Sequence, residues 1–525
     1  MQLKRTVLTD ILFLLLSSML CHVLLSKYGF NPTDEGFVLS SSNRLLHGQI
    51  PHLDFSSLRP LGYAFIHIPE LLLSKDYFFL ISRFVFWLEN LCIAYLWVRW
   101  LERMTIPLKN DSAVFIDGKL KWSFFYGLVF CTFLLNIHYF PCSVLHTIDG
   151  LLFIMLGLNL ITSKKKYSSL GFLFIGYAAL CKQNYVILIP ATLLLIKQKN
   201  YILNSFMGIL PIAIYVAIIS YYGGWTDLSL QLSSHHELFE VGIKEYLLHS
   251  FFLPGIALGV LCNRLKINSI LYIGFILALL VALLITEHYH GSMSFLFVGL
   301  LISEFIQTKK RPTQTLWVCL ILMWSVSISV GYNTPALFLG SYFSLMIIIK
   351  ILDESIKTKF WLAGCLLIIT ASFYARTQHI YRDAPIQKLT YKLDGVVQGA
   401  NGIYTNKNTY DVLIELDSLK EINPALVVLP DFTASNILHN QDGPLLTEWH
   451  NGAEIPTEPI LNKVINKLIQ LKDVRIAVPK YQTALLKDGF KPLENGGMNY
   501  LILQYVKKHY KKDKESQYFD VYKTP

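Results

Sequence analysis

The chain has 525 residues, of which 53% are hydrophobic and only 16% are charged, and its mean hydropathy is +0.44. Soluble proteins carry about a quarter charged residues, so this composition excludes an ordinary soluble enzyme and predicts a polytopic α-helical membrane protein. The formal net charge of +10 does not indicate a nucleic-acid partner. Much of the basic excess lies in short connections between apolar runs, where it orients a membrane protein.

Apolar runs recur along the chain as far as Phe373, and a crossing length of about 20 residues gives about thirteen transmembrane helices. Their predicted centres lie near residues 18, 88, 130, 152, 174, 190, 211, 255, 277, 299, 322, 343 and 366. Residues Met1–Arg5 resemble the basic start of a signal peptide, but no small-x-small cleavage site follows. We therefore expect an uncleaved first helix.

Basic and cation-poor connections alternate between the predicted spans. The basic set contains Arg99, Arg103, Lys164–Lys166, Arg264, Lys266, Lys309–Arg311 and Lys350. The segments 136–143, 221–246 and 331–335 are poor in cations. This alternation predicts a cytoplasmic N-terminus, an extracytoplasmic first loop at 28–76 and an extracytoplasmic C-terminus. We expect a bacterial inner membrane.

From residue 375 onward the pattern changes, so we expect a transmembrane domain over 1–374 and a small extracytoplasmic α/β domain over 375–525. Predicted strands cover 402–405, 426–430, 474–479 and 500–505, and predicted helices cover 409–422, 459–471 and 481–486. The sheet should be partly parallel, and the lysine-rich tail at 507–514 should be solvated and frayed. No cysteine follows Cys365, which excludes a disulfide or thiolate metal site in the second domain.

The first loop carries the acids Asp34, Glu35 and Asp54 and the cation Arg59. Asp34 and Glu35 are the candidate catalytic residues, because a carboxylate at a membrane surface can accept a proton from a sugar hydroxyl or bind a cation. The structural alternative is that Thr33 or Asp34 caps a helix over 35–46, with Glu35 at the positive end of its dipole. Arg59 could pair with a lipid phosphate or serve as an interfacial anchor.

Asp54 and several residues outside the first loop are secondary candidates. Lys182 lies in a predicted outer hairpin otherwise free of charge, where it either binds the donor phosphate together with Arg59 or serves as an anchor. Asp149, after His146, is an intramembrane acid, and the alternatives are function and a hydrogen bond to a neighbouring helix. Arg382 could contact lipid phosphates, although anchoring is favoured. Arg83 and Glu89 point to different helix faces, which favours separate structural partners.

Two His/Glu groups offer metal-ligand types, 235–237 and 287–290, but neither has a third spaced ligand. Ordinary interfacial residues are the favoured interpretation. Whether the protein needs a metal stays open.

The first loop has a specific order of residues: Asp34-Glu35, then Arg44-Leu45-Leu46-x-Gly48-x-x-Pro51, then Asp54-Phe55 and Arg59-Pro60-Leu61-Gly62. It resembles the first extracytoplasmic loop of the GT-C superfamily. This superfamily of polytopic glycosyltransferases includes protein O-mannosyltransferases, aminoarabinose transferases of lipid A and bacterial relatives of the Rgt type. The resemblance implies a GT-C-like fold, a polyprenyl-phosphate-linked sugar donor and an inverting transfer. It also implies that Asp34 is the general base or acceptor-positioning group and that Arg59 contacts phosphate.

The residues independently favour a lipid-linked donor. Nucleotide sugars are cytoplasmic, and the predicted cytoplasmic loops are short and contain no βαβ unit to hold a nucleotide. The expected reaction transfers a sugar to an extracytoplasmic glycan, lipid or protein, with membrane lipids as further partners. It requires no cofactor, although a divalent metal is an option. The alternatives are a lipid-linked sugar transporter or flippase, and a polymerase or oligosaccharide transferase using a diphosphate-linked donor.

Overall fold

The computed structural model describes residues 6–105, 115–116, 119–138, 140–163, 165–196, 200–234, 242–244, 248, 250–286, 290–307, 313–328, 335–353, 358–437, 444–471, 473–493 and 500–524. The histidine pair at 235–236 with Glu237, the run 287–289, and the basic residues Lys164 and Lys309–Arg311 lie outside these ranges.

Seventeen helices precede residue 379 in the described part of the chain. They are α1 Val7–Leu25, α2 Phe37–Leu46, α3 Gly62–Ile66, α4 Ile68–Leu73, α5 Phe78–Thr105, α6 Trp122–Ile137, α7 His146–Ser163, α8 Ser168–Cys181, α9 Leu188–Leu195, α10 Tyr201–Tyr221, α11 Trp225–Ser233, α12 Phe252–Arg264, α13 Ser269–Ile285, α14 His290–Gln307, α15 Thr313–Ser327, α16 Leu339–Asp353 and α17 Thr358–Gln378. A short hairpin of β1 (Phe115–Ile116) and β2 (Lys119–Leu120) precedes α6.

Five of these helices are long and apolar enough to cross a membrane, which agrees with an integral membrane protein. They lie at Val7–Leu25, Phe78–Met104, His146–Ser163, Tyr201–Tyr221 and Lys359–Gln378. A described helix covers each of the thirteen predicted centres, but the remaining helices are shorter. The number of crossings and the orientation therefore stay predictions.

Glycines allow close approach within the helix bundle. A Cβ on Gly176 of α8 would overlap the carbonyl oxygen of Gly208 on α10. Gly157 of α7 and Gly171 of α8 are opposed in the same way. Small residues at such crossings let helix backbones pack closely in an apolar surrounding, where no hydrophobic force drives them together.

The first loop folds differently from the capping prediction. Helix α2 begins at Phe37, and its N-cap is Gly36, with φ of 94° and no side-chain cap. The Asn31 side chain instead accepts hydrogen bonds from the backbone N–H groups of Thr33 and Asp34. The prediction that Thr33 or Asp34 caps this helix was therefore wrong. The Asp34 carboxylate does not cap a helix and bonds elsewhere.

The C-terminal region contains α18 (Lys407–Ile422), α19 (Glu458–Gln470), α20 (Leu501–His509) and the strands β3 (Tyr391–Lys392), β4 (Tyr404–Thr405), β5 (Val427–Val428), β6 (Arg475–Pro479), β7 (Lys511–Glu515) and β8 (Phe519–Lys523). The main sheet has the order β5-β6-β8-β7, with β5 and β6 parallel and the other pairs antiparallel. This confirms the small, partly parallel sheet. The predicted strand at 500–505 was wrong because this run is helical. The tail is not frayed, because β7 pairs with β8.

Helix α17 ends at Gln378, four residues after the predicted boundary at 374. Beyond it, the first loop and the C-terminal region pack as one unit. Phe30, Leu39 and Phe79 share a core with residues of α18 and β8. The buried carboxylate of Asp383 accepts hydrogen bonds from the Phe30 N–H at 2.9 Å and from the Asn406 amide at 2.6 Å. The first loop is thus held between the helix bundle and the C-terminal sheet.

Candidate functional site

Asp34 lies where the first loop meets the segment after α17. Its Oδ2 accepts a hydrogen bond from the Tyr381 hydroxyl at 2.8 Å and forms a 2.8 Å ion pair with Arg382. Burial raises the pKa of the Asp34 carboxyl, whereas the charge of Arg382 and the Tyr381 hydrogen bond oppose that rise. The structure thus joins two of the sequence candidates, Asp34 and Arg382.

A second carboxyl group, Asp431, lies near Asp34 and was not predicted from the sequence. Burial, with a further contribution from the negative charge of Asp34, raises the pKa of Asp431 to about 6. The Asn451 amide donates to Asp431 at 3.0 Å, and Arg382 acts on both carboxyl groups. Two acids in such different surroundings can hold and release protons at different pH values.

Glu35 has a different environment from its neighbour Asp34. Both of its carboxylate oxygens accept from the guanidinium of Arg83, at 3.0 and 2.9 Å. Arg83 also donates to the carbonyl oxygens of Ser26 and Gly29, so it joins the end of α1, the first loop and α5. Arg83 and Glu89 therefore have separate partners, as predicted. Both Glu35 oxygens are occupied by Arg83, and Asp34 is the more exposed acid of the two, at 17% against 8%. A catalytic role of Glu35 stays a prediction.

Arg59, near the end of the first loop, contacts both the C-terminal region and helix α2. Its Nη2 donates to Glu454 at 2.7 Å, and its guanidinium lies 5.2 Å from the ring centre of Phe37. Its Nη1 is buried and has no hydrogen-bond partner among the described residues. The side chain is 15% exposed and lies near the Tyr63 hydroxyl, so Arg59 is held inside the protein rather than anchoring at the surface.

Lys182 and His146 lie close enough to Arg59 for their charges to interact. The Lys182 ammonium, between α8 and the turn that leads to α9, donates to the Val326 carbonyl at 2.6 Å. Burial, followed by repulsion from Arg59, lowers the pKa of Lys182 to about 7. The Nδ1 atom of His146 is also buried without a partner among the described residues. We call Arg59, Lys182 and His146 the basic cluster.

Two apolar cavities flank the segments that carry the basic cluster. One of about 580 Å³ is lined by the first loop at Gly48–Pro51 and by α8 and α10, including Tyr177 and Leu180. The other, of about 590 Å³, is lined by Gln183, Asn184 and Trp324 among others. Leu180 lines the first cavity and Gln183 lines the second, and Lys182 lies between them in sequence. Mostly apolar walls of this size suit hydrocarbon chains.

Asp149 belongs to a third group, separate in its contacts from Asp34. Its Oδ1 lies 3.1 Å from Nε2 of His67, and Nδ1 of His67 lies 2.6 Å from Glu70. Glu89 of α5 completes this group, whose ligand atoms on His67, Glu89 and Asp149 all lie within 4.8 Å of one another. We call these four residues the acid–histidine cluster.

Asp54 accepts from the backbone N–H of Ile50 at 2.6 Å and closes the turn after Gly48. It contacts none of the other candidates in the described structure. The sequence also missed Asp431, Glu454 and His67. Each is a partner of a predicted residue, but no local motif marks it, because it comes from a distant part of the chain.

Comparison with known proteins adds no relative: no family model, curated protein or solved structure matches the chain. The likeness of the first loop to the GT-C superfamily therefore remains a resemblance between motifs.

Proposed function

We propose that this protein is a membrane glycosyltransferase of the GT-C type, which moves a sugar from a polyprenyl-phosphate carrier to an extracytoplasmic glycan, lipid or protein. The observation that carries the proposal is the basic cluster, together with two apolar cavities lined in part by residues near Lys182 in sequence. An unused guanidinium nitrogen on Arg59 offers a charge-assisted hydrogen bond to a phosphate oxygen. An adjoining apolar cavity offers space for part of a prenyl chain.

Asp34 lies on the same loop as Arg59 and supplies the base in this proposal. A hydroxyl oxygen of the acceptor attacks the anomeric carbon, and its proton passes to the Asp34 carboxylate. The bond between the anomeric carbon and the phosphate oxygen breaks, and polyprenyl phosphate leaves with its negative charge facing Arg59 and Lys182. A well-placed donor at a developing charge contributes about 3 kcal/mol to such a step. The atoms balance without a cofactor.

In this proposal Arg59 binds the phosphate without losing its existing partner. Glu454 occupies Nη2, whereas Nη1 has no partner among the described residues, so the guanidinium can hold both groups at once. Because Lys182 has a pKa of about 7, it can be neutral before the donor binds and charged beside a phosphate. These properties favour binding of an anionic lipid headgroup at the basic cluster.

A second function is a transporter or flippase of lipid-linked sugars. The observation that favours it is the acid–histidine cluster inside the helix bundle, because buried ionisable groups also mark ion-coupled pathways. Release of free polyprenyl phosphate by protein in detergent, where two compartments do not exist, would exclude pure transport. A diphosphate-linked donor would instead give polyprenyl diphosphate as the product.

The decisive experiment compares wild type with Asp34→Asn in detergent. Undecaprenyl phosphates carrying glucose, mannose or aminoarabinose serve as donors, a cell-envelope extract serves as acceptor, and released undecaprenyl phosphate is measured by mass spectrometry. We expect Asp34→Asn to lose about 100-fold or more in rate, as for a general base, with an unchanged elution profile. The control is Asp488→Asn, an exposed acid in the C-terminal region. Equal rates in wild type and Asp34→Asn would show that Asp34 is not the general base.

A further inference from the structure

The acid–histidine cluster brings three separate parts of the bundle together. His67 lies at the junction of α3 and α4, and Glu70 follows in α4. Glu89 comes from α5, and Asp149 comes from the first turn of α7. His67 and Asp149 have no exposed surface, and Glu70 and Glu89 are 3% and 7% exposed. Water therefore has little access to these charges.

Both nitrogens of the His67 ring face a carboxylate. Its Nδ1 lies 2.6 Å from Oε1 of Glu70, so the N–H on Nδ1 donates to that carboxylate. In the neutral ring this leaves Nε2 as an acceptor, and it faces Oδ1 of Asp149 at 3.1 Å. This contact is satisfied either by a second proton, in an imidazolium that donates to both carboxylates, or by a cation that Nε2 and Oδ1 share. Carboxylate–histidine pairs of this kind commonly orient a metal-binding imidazole.

The cluster also has an unbalanced charge. Three carboxylates surround one imidazole, and one oxygen each on Glu70, Glu89 and Asp149 is buried without a hydrogen-bond partner in the described structure. No described lysine or arginine forms an ion pair with any of the three. An ionised, uncompensated carboxylate costs several kcal/mol when it is buried, so the three acids either take up protons or share a cation.

We propose that this cluster is a binding site for one divalent transition-metal ion, Zn²⁺ or Mn²⁺. Nε2 of His67 and carboxylate oxygens of Glu89 and Asp149 are the ligands, and Glu70 is a positioning residue. The ligand atoms lie within 4.8 Å of one another, about twice a metal–ligand bond of about 2.0–2.4 Å. A mixed imidazole and carboxylate set suits these ions better than Mg²⁺, which prefers oxygen and water.

Such an ion would fix the α3–α4 junction against α5 and α7. The first loop enters α3 directly after Arg59 and Pro60, so the ion would support the segment that carries the basic cluster. This inference stands on the contacts of the four residues and does not depend on sugar transfer. Metal content and thermal stability test it without any activity assay.

The experiment uses the full chain, purified without a histidine tag and stripped with a chelator. Zn²⁺ and, separately, Mn²⁺ are added back, and bound metal is measured by mass spectrometry and titration calorimetry. We expect one equivalent of Zn²⁺ or Mn²⁺ per chain and a higher unfolding midpoint in its presence. Asp149→Asn and Glu89→Gln should each weaken binding more than 100-fold. Glu70→Gln should weaken it about 10- to 100-fold, as expected when a ligand loses its orienting partner.

Glu102→Gln is the matched control, because Glu102 is a buried acid on the same helix, α5, outside the cluster. It should bind metal as the wild type does. Less than a tenth of an equivalent of either ion in the wild type would overturn the proposal. So would an equal rise in midpoint in wild type and Asp149→Asn. If Asp149→Asn does not fold, the wild-type stoichiometry and the Glu70→Gln affinity decide the outcome alone.

Discussion

Removing the carboxylate of Glu35 should destabilise the protein because it leaves the Arg83 guanidinium buried without its anionic partner. Two charge-assisted hydrogen bonds, 3.0 and 2.9 Å long, join these side chains. The relative exposure of the side chains is 2% for Arg83 and 8% for Glu35. Breaking a buried pair from one side costs about 3–5 kcal/mol. In Glu35→Gln the amide oxygen can still accept one bond, so we expect a loss near about 3 kcal/mol.

The measurement is unfolding in mixed dodecyl maltoside and SDS micelles, followed by tryptophan fluorescence. Glu35→Gln, Arg83→Met and the double variant form a thermodynamic cycle. The double variant leaves neither charge of this pair unpaired. We therefore expect its loss in the free energy of unfolding to be smaller than the sum of the single losses by about 2 kcal/mol or more. Lys407→Gln, which removes an exposed ion pair with Asp411, should leave the midpoint unchanged.

A loss below about 1 kcal/mol in Glu35→Gln would refute the reasoning, because it would place this pair among weak surface ion pairs. If the loss in the double variant equals the sum of the two single losses, the pair contributes no coupling energy, and the reasoning is refuted as well. Either result would return Glu35 to the set of candidate catalytic acids beside Asp34.

Two further predictions concern pH and helix packing. The pKa of Asp431 is about 6 in the folded protein against 3.8 ordinarily, so the folded state binds its proton more tightly and stability falls as pH rises from about 4 to about 6. Asp431→Asn should reduce the stability difference between pH 4 and pH 7 by roughly 2 kcal/mol relative to wild type, and parallel stability profiles would contradict this. Gly176→Ala should lower the free energy of unfolding by about 1–3 kcal/mol, because its Cβ would overlap the Gly208 carbonyl. Gly274→Ala, whose Cβ would meet nothing within 4 Å, should be neutral or stabilising, and equal losses in both variants would exclude the packing explanation.

The sequence predicted the positions of the helices well because apolar runs in this chain are long and repeated. It also placed three C-terminal strands, at 404–405, 427–428 and 475–479, where β-branched residues are concentrated. The run 500–505 was misassigned because a short apolar run suits a strand or a buried helix equally. In the structure Ile502, Leu503 and Val506 face the core together, which is a helical spacing.

Strand β7 had no apolar pattern to reveal it. All five of its residues are exposed, and cross-strand ion pairs such as Lys523–Asp513 at 2.9 Å and Lys512–Asp520 at 3.0 Å accompany its pairing with β8. Charged residues of this kind look like a solvated tail when they are considered without their partner strand. The pairing is therefore a tertiary effect that local propensity does not encode.

For the candidate site, the sequence identified the residues better than their partners. Lys182, His146 and Arg59 were chosen separately and are close together in the structure. The partner of Asp149, His67, comes from a segment 82 residues earlier, and the partner of Arg59, Glu454, comes from a segment 395 residues later. No spacing rule applies over such separations, because the contacts depend on how the bundle and the sheet pack.

The contacts of the first loop with the C-terminal region impose an order on biosynthesis. Arg44 of α2 donates to Glu448 at 2.5 Å, across 404 residues of chain. At about 5–20 residues per second, a ribosome needs roughly 20–80 s to supply that distant carboxylate after the arginine has been made. During this interval the guanidinium has to remain hydrated, and α2 cannot take its final place. The first loop is consequently among the last parts of the protein to reach its final structure. A nascent chain released before Glu448 would lack the partner of Arg44.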